Sequence, residues 1–301
     1  MKRIHEAWSK FEPQGPSHKG NGSDAEAIEE MVDADPIVFT LATEDVVSEP
    51  HNGADTTLEQ FCSRNWNPDP KTMLFFGAQE PTPGQEDFRL LRSRLYQARE
   101  SMPLKTVLVA SSLAKEGRSF VAINLAQAIA RQQGCRVLLL DADLRSPSLH
   151  LTLGTSDSPG LSEYLLAEVE HTRIIQKGQL ENLYFIPSGR SVSGQTEIVS
   201  NGRLKTLLDR LSALFDWIIL DSPAALPVSD AGLISNFCDG ALLVVRSNST
   251  PFDTVRKARE RFREDRILGV VLNGIPGEGR VENRYYRATS ASEPRPNGKW
   301  K

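Results

Sequence analysis

A chain of 301 residues with 39% hydrophobic and 25% charged residues and a formal net charge of −4 has the composition of a soluble globular protein. It is long enough for one sizeable domain with tails, and its charge balance excludes a general pull toward nucleic acid or anionic membrane. The longest apolar runs, such as 137–140 and 241–245, have strand length, well short of the roughly 18–20 residues that span a bilayer.

The N-terminus shows no apolar core of a signal peptide, so a cytoplasmic chain is expected. Residues 1–70 carry Pro13-Gln14-Gly15-Pro16, Gly20-Asn21-Gly22-Ser23 and an acidic patch over 24–35. Hydrophobic spacing is weak there, which predicts a short helix over 3–11 followed by a largely flexible segment. Residues 71–104 read as a linker, with a proline-bearing break over 79–85, and a charged helix from Glu86 to about residue 99. Cys62, Cys135 and Cys238 are far apart and are expected as free thiols of a reducing compartment.

From residue 105 short apolar runs alternate with amphipathic ones. Strands are expected over 105–110, 136–141, 182–187, 216–221, 241–246 and 267–273, and helices over 119–133, 160–167, 203–214, 229–236 and 254–263. The strand runs are continuous in Val, Ile and Leu rather than alternating. That is the pattern of an α/β fold, a parallel sheet covered by helices on both faces. The domain is expected over 105–276, and the polar residues 277–301 read as a tail.

Three strand ends carry matched chemistry. The first feeds Ser111-Ser112-Leu113-Ala114-Lys115-Glu116-Gly117-Arg118-Ser119, a small-residue loop running into a helix at Phe120. Backbone N–H groups of such a loop and the helix N-terminus face an anion, which makes it a phosphate-binding loop. The second strand ends in Asp141-Ala142-Asp143-Leu144-Arg145, and the third in Asp221-Ser222-Pro223. A loop hydroxyl, Ser119, and a strand-end acid, Asp221, are what Mg²⁺ on a triphosphate requires. In an open α/β sheet all three ends open into one crevice.

These residues resemble the bacterial tyrosine kinases of capsule and exopolysaccharide export, a P-loop group with the architecture of the partition and division-site ATPases. The family loop Ser-x-x-Pro-x-Glu-Gly-Lys-Ser is similar to 111–119, its acidic motif to 141–145 and its third motif to 219–223. Glu86, Arg89 and Arg92 are similar to its Glu-x-x-Arg-x-x-Arg signature, and Arg3-Ile4-His5-Glu6-Ala7 to the opening of exopolysaccharide-locus members. The resemblance implies an ATP-dependent autokinase. Leu113, Ala114, Lys115, Glu116, Gly117, Arg118, Ser119 and Phe120 would hold the phosphates of ATP, and Asn273 the adenine. Ser119, Asp221 and Asp143 would hold Mg²⁺. Asp141 would accept the proton of an incoming tyrosine hydroxyl, with Asp143 and Arg118 also catalytic. Tyr285 and Tyr286 of a neighbouring subunit would be the phosphoacceptors, and Glu86, Arg89 and Arg92 would join subunits into a ring. It further implies a membrane chain-length-determinant partner that recruits the chain to the inner face of the cell membrane.

Three positions depart from the family pattern. Ala114 and Ala224 each replace a proline, and Arg118 replaces the loop lysine. Arginine keeps the charge, but its planar fork directs its hydrogen bonds elsewhere. A working kinase and a nucleotide-binding scaffold with weakened turnover therefore both stand. A partition-type ATPase would carry a second lysine where Leu113 stands.

Overall fold

The computed structural model describes residues 61–76 and 82–275. An eight-stranded sheet has the order β1-β4-β5-β3-β6-β2-β7-β8. The strands are β1 Cys62–Ser63, β2 Thr106–Ser111, β3 Val137–Asp141, β4 Gln176–Lys177, β5 Leu183–Ile186, β6 Trp217–Asp221, β7 Gly240–Arg246 and β8 Ile267–Asn273. The helices are α1 Pro83–Ser101, α2 Arg118–Ala130, α3 Leu149–Leu153, α4 Leu161–Leu165, α5 His171–Ile174, α6 Gln195–Ser200, α7 Arg203–Leu211, α8 Asp230–Ser235 and α9 Phe252–Arg259. All six strands expected from the sequence form, within a residue of the expected ends.

The central strands bury both faces. Val107, Val109, Val137 and Leu139 point into one core with α1 and α2. Leu108, Ala110, Leu138 and Leu140 point into another with α4 and α7. Successive side chains of a strand alternate between faces, so a run without polar residues is what two covered faces demand. The pairing is parallel except between β4 and β5, which run antiparallel. The parallel sheet expected from the sequence forms, with this one antiparallel pair in it. Both β4 and its neighbour β1 are two residues long, too short to leave a periodic signal.

One correction concerns the N-terminal segment. The expected flexibility through residue 70 does not hold from residue 61 onward, where Phe61, Trp66, Met73 and Phe75 are buried. Asn124 of α2 fastens this strap to the domain. Its Oδ1 accepts from the Leu74 N–H at 2.8 Å and its Nδ2 donates to the Thr72 carbonyl at 2.8 Å. The Arg131 guanidinium lies over the Phe75 ring, 5.5 Å from its centroid. The short helix expected over 3–11 lies outside the described residues.

The chain leaves β2 through the loop of residues 112–117, runs along α2 and enters β3, while β6 fills the place between β2 and β3. Asp141 and Asp221 are directly paired across β3 and β6, and Val109 is paired with Asp221 across β2 and β6. The carboxyl ends of three neighbouring strands thus meet beside the N-terminus of α2.

Candidate nucleotide-binding site

The loop between β2 and α2 is held by its own acid. The buried Glu116 carboxylate accepts from the Leu113 N–H at 2.8 Å and also from the Thr250 hydroxyl, far along the chain. Ser111 Oγ donates to the Leu113 carbonyl at 2.7 Å. Gly117 caps α2 in the left-handed region at φ +100°. A Cβ there would lie 1.9 Å from Asn273 Nδ2. That amide donates to the Glu116 carbonyl at 2.9 Å, so Asn273 braces the loop in this structure. The loop N–H groups and the first turn of α2 form an anion-facing N-terminus.

Arg118 turns back over this loop. Its Nη1 donates to Ser111 Oγ at 3.1 Å and lies 3.5 Å from the Leu113 carbonyl. Its Nη2 donates to Asp143 Oδ2 at 2.9 Å, and its Nε faces Asp221 Oδ1 at 3.9 Å. Every nitrogen of the fork is therefore turned toward the protein. The guanidinium bridges the two acids expected to serve the metal.

Each acid is set differently. Asp221 is almost fully buried, and burial pushes its carboxyl up to about 7, against the pull of Arg118 and a hydrogen bond from Ser119, with Asp143 adding to the rise. Asp141 is 0% exposed. Burial first, then the charges of Asp221 and Asp143, raise its pKa well above the ordinary value, opposed by hydrogen bonds from Leu149 and Ser148. Its oxygens accept from the N–H groups of Asp143, Ser148 and Leu149 at 3.1–3.2 Å. Asp141 thus shapes the segment that carries Asp143. Asp143 Oδ1 in turn accepts from the N–H groups of Arg145 at 3.2 Å and Ser146 at 3.0 Å.

Ser119 Oγ, Asp143 and Asp221 are oxygen donors of the kind Mg²⁺ takes, and Asp221 Oδ1 is buried without a hydrogen-bond partner. No protein cage of three or more His, Cys, Asp or Glu exists among the described residues. Mg²⁺ does not require one, since it takes one or two carboxylates together with phosphate oxygens and water. The donor set fits the ion.

The sequence of Bacillus subtilis (strain 168) tyrosine-protein kinase YwqD is 32% identical over 203 residues, 67% of this chain and 85% of that one. The chain belongs to the bacterial tyrosine-protein kinases. A family model described as an AAA domain matches residues 106–246. The crystal structure of the chimerical protein CapA2B2 superposes with a TM-score of 0.63 at 28% identity, covering 73% of this chain and 96% of that one. The kinase domain of Escherichia coli tyrosine kinase ETK gives 0.60 at 30% identity, covering 63% and 75%. Some curated relatives are much longer, and the chain spans only 26% of them.

Among the site residues expected for such a kinase, the structure brings Arg118, Ser119, Asp141, Asp143 and Asp221 together. Leu113, Ala114 and Lys115 form the exposed rim of the loop, and Phe120 packs against Phe88 of α1 with ring centroids 5.8 Å apart. Glu86 and Arg89 pair with each other on α1, and Arg92 donates to the Ala128 carbonyl of α2 at 2.7 Å. Tyr285 and Tyr286 lie outside the described residues. Sequence reasoning missed Thr250, which fixes Glu116, and Ser148, whose hydroxyl donates to Ser119 Oγ at 3.1 Å. It also missed Thr196 and the part played by Asp230, which together hold Arg145: its Nε donates to Asp230 Oδ2 at 2.8 Å and its Nη2 to Thr196 Oγ1 at 2.9 Å. A lone Thr or Ser far from the motif leaves no local signal. Among the described residues no helix is long and apolar enough to cross a membrane.

Proposed function

We propose that this chain is an ATP-dependent protein-tyrosine autokinase of surface-polysaccharide synthesis and export. The observation that carries this reading is the meeting of Ser119, Asp143 and Asp221 beside an anion-facing helix N-terminus, in a chain of this family. The N–H groups of 113–119 and of Phe120 bind the phosphates, with Asn273 at the nucleoside end. Ser119, Asp221 and Asp143 would hold Mg²⁺, which would offset the charge of the phosphates. Alignment and charge stabilisation carry phosphoryl transfer, because the protein has little covalent chemistry to perform.

Asp141 sits beside the transferring group and accepts the proton of the incoming tyrosine hydroxyl, mostly by orienting it. Tyr285 and Tyr286 of a neighbouring subunit receive the phosphate. Glu86, Arg89 and Arg92 contribute to a ring of subunits, which a membrane chain-length-determinant protein recruits to the inner face of the cell membrane. The domain limits in this reading are residues 105–276 for the catalytic unit and 277–301 for the acceptor tail.

Intact-mass measurement before and after Mg-ATP tests the reading. Phosphate should appear on Tyr285 or Tyr286, and the Asp141→Asn variant should show none. Wild-type protein that never gains phosphotyrosine refutes the kinase. The turn of Arg118 toward the protein favours a second reading, a nucleotide-gated scaffold of the export machinery. In that case Arg118→Lys gains autophosphorylation strongly, whereas a working kinase is unchanged or weakened by it.

A further inference from the structure

The loop lysine of a phosphate-binding loop is a point charge on a flexible stem, and it can direct its donors at one oxygen at a time. Arg118 does something a lysine cannot. One planar fork reaches Asp143 through Nη2 at 2.9 Å and faces Asp221 through Nε at 3.9 Å, while Nη1 rests on Ser111 Oγ at 3.1 Å. The two acids lie on different strand ends, their side chains only 5% and 1% exposed, and the Arg118 side chain is 11% exposed. A positive charge shielded from water stands where the divalent cation of a nucleotide complex would neutralise the same two carboxylates. The Asp221 oxygen it faces has no hydrogen-bond partner.

We propose that the Arg118 guanidinium is a built-in cation of the phosphate cradle, so that this chain holds a nucleoside di- or triphosphate without a divalent metal. The inference rests on the nucleotide-binding reading above and deepens it. An unscreened pair of buried aspartates repels a polyphosphate, and in a lysine-bearing loop the metal cancels that repulsion. Here the protein's own arginine cancels much of it before any ligand arrives. The metal is left with fewer free carboxylate oxygens to bind and less charge to offset.

Calorimetric titration of the full-length protein with ADP, in Mg²⁺ and in EDTA, reads this directly. Wild-type affinity in the two buffers should agree within about threefold, whereas Arg118→Lys should lose about tenfold or more in EDTA, because one ammonium leaves an acid uncovered. Thermal melting with MgCl₂ alone gives a second readout. The ion should leave the wild-type midpoint unchanged and raise that of Arg118→Lys. A wild type that loses tenfold or more in EDTA, or that MgCl₂ stabilises as much as it does the lysine variant, overturns the built-in cation while leaving nucleotide binding intact. No ADP binding in either buffer overturns both this inference and the reading beneath it.

Discussion

Replacing Gly117 by alanine puts the phosphate loop under two separate loads. The residue sits at φ +100° at the cap of α2, a conformation that costs an L-residue about 1–2 kcal/mol. The new methyl would also lie 1.9 Å from Asn273 Nδ2, so that side chain must leave. Its hydrogen bond to the Glu116 carbonyl is then lost, worth about 1 kcal/mol net. Together they amount to about 2–3 kcal/mol, or about 4–12 °C of melting temperature for a domain of this size. Differential scanning calorimetry of Gly117→Ala, Asn273→Ala and the double variant separates the loads. In the double variant the steric load vanishes and the backbone load stays. Its loss should therefore fall short of the sum of the single losses. ADP titration should show weaker binding by Gly117→Ala, because the loop N–H groups shift with the cap. A Gly117→Ala protein that melts within about 1 °C of wild type and binds ADP equally well would refute the argument.

Asp221 makes stability depend on pH. Its carboxyl is raised from 3.8 to about 7 by burial, so between those values the folded chain keeps a proton that the unfolded chain has released. Stability therefore falls as pH rises through that window. Asp221→Asn should lessen this fall, the remainder belonging to Asp141, and urea melts of the two proteins running parallel from pH 4 to pH 7 would exclude the cause. Asn124→Leu cuts both hydrogen bonds to the strap at Thr72 and Leu74, which are half-buried, at about 1 kcal/mol net each. Amide exchange at Leu74 should quicken well beyond that of the β3 amides, and an unchanged rate would show that the strap is held by its aromatic residues instead.

The legible parts of the fold were those whose signal is local. The runs ending at Asp141 and Asp221 are apolar throughout because both faces of β3 and β6 are covered, and an acid after such a run marks a strand end. Strand β2 extends one residue past the expected end because Ser111 is still paired with Val244. Helix α2 stops at Ala130 rather than residue 133, since the chain turns through Gly134 at φ +72°. The strap was not legible: Phe61, Trp66, Met73 and Phe75 follow no period of two or 3.6, and a cluster of aromatics was the one cue. Within the site, the sequence motifs named the charged residues but not their pairing. Arg118 meets Asp143 across 25 positions and Glu116 meets Thr250 across 134, distances over which spacing carries no information. The substitution at Arg118 was visible as a departure; the direction of its fork was not.

Helix α2 has 13 residues and so measures about 20 Å. One end meets the loop of residues 112–117. Its midpoint grips the strap through Asn124, and its far end is clasped by Arg92 of α1 and lies under Phe75 through Arg131. Such a rod has three attachments, so a tilt at the loop end would strain the contacts with α1 and with the strap at Thr72 to Phe75. The loop, the strap and α1 thus share one helix as their common support.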